Sequence, residues 1–180
     1  MDFGLLIIRL VAGALLVGHG TQKLFGWFGG YGPVGTGQYF ASLGYRGGAP
    51  LAVAAGLGEA GGGLLLALGF FTPLGAAAVI GVMANAIVAQ HRGKGPWVAN
   101  GGWELPLLYS GVAALLAFAG PGVWSVDEAI GFELEGLLWG FVALVIGLGT
   151  ALAALFTRTE PFAGEDAPAA EMPSSERQAA

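Results

Sequence analysis

From Leu5 to Val17 the chain is almost wholly aliphatic, and then His19, Thr21, Gln22 and Lys23 arrive together, followed by Phe25, Trp27 and Phe28. A helix carried through this point stacks His19 and Lys23 on one face, because residues four apart are neighbours. The pattern is a cationic and aromatic collar where a hydrophobic rod meets water. At ~1.5 Å per residue, a segment from about Phe3 to Phe25 is long enough to cross a ~30 Å hydrocarbon core. A loop rich in Gly, Tyr, Pro, Thr and Gln follows from Gly26 to Ala49, and within it the apolar piece Gln38 to Leu43 reads as an interfacial or re-entrant helix.

Segment two spans Pro50 to Phe71, with Glu59 as its single ionisable residue and Gly58 and Gly62 forming a small-residue face beside that carboxylate. The link Phe71-Thr-Pro73 is very short. Thr72 is expected as the N-cap and Pro73 as the first helical residue of segment three, which runs to about Gln90, so that segments two and three are antiparallel neighbours. A polar loop from His91 to Gly102 leads to segment four, Trp103 to Ala119. Ser125 and Glu128 then show capping-box spacing ahead of a short surface helix, Val126 to Gly131. Segment five covers Leu134 to Phe156. Beyond Arg158 the chain turns rich in Pro, Ala, Ser and Glu, the composition of a disordered tail.

Composition agrees with the membrane reading. Of 180 residues, 55% are hydrophobic and only 11% charged, where soluble domains carry about a quarter charged residues. The 34 glycines sit inside apolar runs, where they favour close helix packing. Without cysteine the chain supplies no disulfide, thiolate metal site or iron–sulfur cluster. The net charge of -5 is concentrated late and argues against a nucleic-acid partner. The first apolar run lacks a basic leader and a small-residue cleavage site before Thr21, so it reads as retained. With five crossings, Lys23, Arg46, Arg92, Lys94, Arg158 and Arg177 share one face. The positive-inside rule then puts the N-terminus outside and the tail in the cytoplasm, with Trp27, Trp97 and Trp103 at the inner interface and Trp124 and Trp139 at the outer.

In that topology His19, Lys23, His91 and Glu104 converge on the cytoplasmic side, and Asn85 falls near the depth of His19, which outlines a polar pocket among segments one, three and four. The plainer alternative is a set of interface residues holding helix ends. Arg9 and Glu59 lie deeper, where an unpaired charge costs at least ~2.5 kcal/mol. Pairing with each other is the economical expectation, although they differ by roughly 9 Å in depth, and Glu59 has His19 or Lys23 as alternative partners. A structural ion pair between segments one and two is favoured over a proton relay or ligand site. The two histidines raise bis-His haem, which is set aside because both sit at segment ends with glycine neighbours. No metal site is expected.

These same residues carry a resemblance. Arg9 inside the first segment, His19-Gly-Thr-Gln-Lys-Leu-Phe-Gly26, Leu-Gly-Glu59-Ala-Gly-Gly, Phe70-Phe-Thr-Pro73, Asn100-Gly-Gly-Trp-Glu104 and Pro121-Gly-Val-Trp-Ser-Val-Asp127 are similar to the DoxX family of small bacterial membrane proteins. The resemblance covers about Leu5 to Ile130 and implies an all-α, four-helix membrane core, some relatives being linked with quinone-coupled sulfur oxidation or with membrane oxidoreductase complexes. The expected organisation is a DoxX-like domain at 1–131, an additional transmembrane helix at 132–157, which departs from the four-helix pattern, and a disordered acidic tail at 158–180. The leading functional expectation is a multi-pass inner-membrane accessory subunit of a quinone-linked oxidoreductase system, at most a subunit of an enzyme. Its expected partners are the bilayer and a membrane or cytoplasmic oxidoreductase, the redox centre being a quinone or lying in that partner. His19 and Glu59 are expected to handle protons, Arg9 and Lys23 to stabilise a reduced quinone oxygen, and Glu104 to gate access to water, with Asn85 in the same pocket. The competing expectations are a scaffold recruiting partners through its loops and tail, and a small-solute transporter.

Overall fold

The computed structural model describes residues 2–159; the acidic tail expected from 158 lies, beyond residue 159, outside the described residues. The helices are α1 (Asp2–Phe25), α2 (Gly32–Ser42), α3 (Gly48–Leu68), α4 (Thr72–Ala89), α5 (Glu104–Ala119), α6 (Val126–Ala129) and α7 (Gly136–Leu155), with single 3-10 turns at Trp27–Gly29 and Val98–Asn100. Among the described residues the only β pairing is an isolated antiparallel bridge between Tyr45 and Arg158. Four helices, α1, α3, α4 and α7, are long and apolar enough to cross a membrane. The expected C-terminal span is thus among the long ones. The shorter apolar helix is α5, whose 16 residues rise about 24 Å at ~1.5 Å each.

α4 sits at the centre. It packs on α3, α5 and α7, while α1 and α2 pack on α3. The core runs through Leu16, Leu66, Val79, Ile80, Leu116 and Ala143. Outward, Leu137, Leu138, Phe141 and Val145 of α7 and Val11 and Leu15 of α1 are largely exposed. In water such a surface would be an aggregation face, whereas against acyl chains it is the solvated one. The α1–α3 seam is a backbone contact. A Cβ added to Gly13 would lie 2.5 Å from the Gly63 carbonyl oxygen, and one added to Gly63 would lie 2.8 Å from that of Gly13. Gly58 and Gly62, expected to form a packing face, do so against Val82, Val79 and the Gly75 carbonyl of α4.

At the end where α1 begins and α3 meets α4, two buried charges tie the bundle. Arg9, only 1% exposed, does not reach Glu59. Its Nε donates to Leu66 O at 3.2 Å, its Nη1 to Pro121 O, and its Nη2 to Ala67 O at 3.2 Å and Trp124 O at 2.9 Å. The physical reason is local: the last turn of α3 presents carbonyls with no intrahelical partner, and a forked cation satisfies several at once at the negative end of the helix. Asp127 does the converse at the start of α4, accepting from Phe71 N at 2.8 Å, Thr72 N at 3.1 Å and the Thr72 hydroxyl at 2.9 Å. The expected Thr72 cap is therefore corrected. Phe71 holds the cap position at φ 44 and Thr72 is the first helical residue, because a carboxylate from 55 residues away supplies the acceptor that Thr72 would have offered. The Ser125 hydroxyl accepts from Glu128 N at 3.2 Å, as capping-box spacing predicts.

Candidate functional site

At the opposite end of the bundle lies a cavity of about 510 Å³ whose lining includes His19, Lys23, Tyr45, Glu59, Asn85, His91 and Tyr109. Its walls are otherwise apolar, with Leu51, Ala55, Val82, Met83 and Leu105 among them. That size is within the range of small-molecule sites, as is the mixture of apolar wall and few polar groups. Lys23, in the last turn of α1, bonds Glu59 Oε2 at 2.5 Å, and the two side chains are 23% and 5% exposed. The ion pair joining the first two long helices is thus Lys23–Glu59, one of the alternatives the sequence left open. The second carboxylate oxygen of Glu59 has no hydrogen-bond partner among the described residues.

The two histidines are held in defined tautomers. Gln22 donates through Nε2 to Phe28 O at 3.2 Å, which leaves its Oε1 facing His19 Nδ1 at 3.3 Å. His91 Nδ1 meets Gly101 O at 2.5 Å. Both partners are carbonyl oxygens, which only accept, so Nδ1 is the donor in each ring, and in the neutral imidazole Nε2 is then the acceptor. The His19 ring meets Tyr109 of α5 edge-on at 6.1 Å between centroids. Asn85 accepts from the Tyr45 hydroxyl at 2.8 Å and donates to Ala151 O at 3.4 Å, which links the α2–α3 loop, α4 and α7. Burial pushes the Tyr45 phenol up, while its bond to Asn85 and the nearby Arg158 pull the other way. A backbone strap closes this end, with Arg46 N donating to Thr157 O at 3.2 Å and Thr159 N to Gly44 O at 2.9 Å.

Of the residues singled out from sequence, His19, Lys23, Glu59, Asn85 and His91 line this one cavity. Arg9 does not: it is committed to carbonyls at the other end of the bundle. Glu104 borders a shallow groove with Trp97 and Trp103 instead, its carboxylate accepting from Val98 N at 2.8 Å. That bond ties the loop to the first turn of α5, where an acidic group is favoured by the helix dipole. Tyr45 and Tyr109 were not anticipated. The available signal for Tyr109 was a lone phenol inside an apolar segment; Tyr45 had none, lying in a glycine-rich loop. Among the described residues no group of three or more His, Cys, Asp or Glu is placed to hold a metal ion.

Comparison with known proteins agrees with this architecture. The DoxX family description matches residues 4–92, which takes in α1 to α4. An uncharacterized protein of Haemophilus influenzae is 34% identical over 132 residues, covering 69% of this chain and 88% of that protein. The inner membrane protein YqjF of Escherichia coli is 31% identical over 130 residues, covering 72% of this chain and 93% of its own. The inner membrane protein YphA of the same organism is 32% identical over 144 residues, with 71% and 94% covered. No solved structure matches. With matching residues along α1 to α4 and long apolar helices built around two buried charge clusters, the chain is a multi-pass membrane protein and belongs to the DoxX family.

Proposed function

We propose that this chain is an inner-membrane accessory subunit of a quinone-linked oxidoreductase system and that the cavity between α1, α3, α4 and α5 receives the quinone head. The observation that carries the reading is the Lys23–Glu59 pair set in a largely apolar cavity, with one oxygen of the buried Glu59 left without a partner among the described residues. A volume of about 510 Å³ accommodates a substituted benzoquinone ring and the first part of its tail. When bound, the quinone would supply the two-electron carrier. The chain's own part is to orient the ring between apolar walls, to hold a proton at Glu59 or His19, and to place the Lys23 ammonium near developing negative charge. The N-terminus is then outside and the C-terminus cytoplasmic, so that the cavity lies toward the side rich in Lys and Arg.

Purified protein in lipid nanodiscs tests this. Saturable binding of a benzoquinol with a decyl tail, kept reduced under anaerobic conditions, is expected, weakened about tenfold or more by Glu59→Gln and by His19→Ala. Binding indifferent to both substitutions would remove the assigned roles.

A further inference from the structure

We infer that the cavity selects a hydroxylated ring, the dihydroxy form over the dicarbonyl form, through hydrogen-bond acceptors in its wall, the Glu59 carboxylate first among them. This rests on the reading of the cavity as a site for a ring-headed amphiphile and specifies which redox state it takes. The first acceptor is the partnerless oxygen of Glu59, whose other oxygen is held by Lys23 at 2.5 Å. The other two are the Nε2 atoms of His19 and His91, which are acceptors in the neutral rings because each Nδ1 is turned to a carbonyl oxygen, at 3.3 Å and 2.5 Å respectively. All three side chains line the same cavity.

Most other polar groups of the wall are already paired within the protein. The Tyr45 hydroxyl donates to Asn85, the Asn85 amide to Ala151 O, and the Thr150 hydroxyl to Gly147 O. Gln90 and Tyr109 serve as donor or acceptor. Lys23 is the charged donor of the wall, and its ammonium is drawn to Glu59. A dicarbonyl ring brings only acceptors to this wall and leaves the Glu59 oxygen desolvated without a donor. A dihydroxy ring brings two donors, and a donor onto a buried carboxylate is among the stronger neutral-to-charged hydrogen bonds. The site therefore favours a reduced carrier delivered to it, and the discrimination is one of binding, before any electron moves.

Three probes sharing a decyl tail decide it: a benzoquinol, the matching benzoquinone and the quinol's dimethyl ether, each titrated against the full chain in nanodiscs under anaerobic conditions. The expected order is quinol tightest by about tenfold, with quinone and dimethyl ether alike, since one hydrogen bond to a carboxylate is worth roughly that factor. The paired substitution Lys23→Met with Glu59→Met, which leaves no lone charge, is expected to shrink the preference to about threefold or less. Equal affinity for all three probes, or a preference for the quinone, overturns the inference while leaving the cavity as a ring site. No saturable binding of any probe overturns the reading beneath it as well.

Discussion

Arg9 and Glu59 behave differently although both are charges inside apolar helices. Arg9 is saturated by backbone carbonyls of α3 and the 121–124 loop, whereas Glu59 has one bonded and one unbonded oxygen. The first arrangement is that of a structural clamp, the second that of a site. Arg9→Ala is expected to lower stability by at least ~2 kcal/mol, because several buried carbonyls lose their donor at once, and Arg9→Lys to recover only part of it, since an ammonium lacks the planar fork. Thermal unfolding in detergent reads both, and an unaffected melting temperature for Arg9→Ala would contradict the clamp. Sequence could place these charges within apolar runs but not choose their partners. Carbonyls are present at every residue and leave no mark in the sequence, and the Lys23–Glu59 pairing depends on how far α1 slides along α3. His91 was visible, but its tautomer follows from a loop carbonyl at Gly101 that only folding brings within reach.

Among elements, the long helices were legible from uninterrupted apolar runs, and their ends fall within a few residues of the expected positions. The α2 helix was not: only Gln38 to Leu43 was expected, and the structure extends it back to Gly32. Gly32, Gly35 and Gly37 lower helix propensity there, yet Gly37 lies backbone against Gly48 and Ala49 at the start of α3, a tertiary contact that no local signal reports. The cap of α4 was missed for the same reason, its acceptor coming from Asp127 in the distant helix α6. The α1–α3 seam gives a sharp test within one helix. Gly61 meets nothing within 4 Å of an added Cβ, whereas Gly63 would meet Leu16 Cβ at 2.7 Å. Gly61→Ala is expected to be neutral or to stabilise by up to ~1 kcal/mol, and Gly63→Leu to force α1 from α3 and abolish a cooperative melt. Equal tolerance of the two would show that the seam is looser than described.

For the whole molecule, the two ends have divided roles. Charges at the end where α3 meets α4 are consumed in holding helices together, and those at the opposite end border a cavity closed by the strap between residues 44–46 and 157–159. The family membership, the helical class and the membrane setting could all be read from the chain. The polar residues of the cavity were outlined too, but its apolar walls were not, because they depend on side-chain volumes across several elements at once. Since the chain has no cysteine, single cysteines at Gly93 and Gly131 report orientation in intact cells. A membrane-impermeant maleimide is expected to label the second and not the first, and the reverse would invert the proposed topology. The central claim, that the cavity beside Lys23 and Glu59 holds the ring of an amphiphile, is tested most directly by photo-crosslinking. An azido-benzoquinone with a decyl tail is activated on the purified protein and the labelled residues are identified by mass spectrometry. The account predicts label on cavity residues such as Ala55, Met83 and Tyr109, lost when Ala55→Phe fills the space; label confined to outward residues such as Leu15 and Val145, unchanged by that substitution, would contradict it.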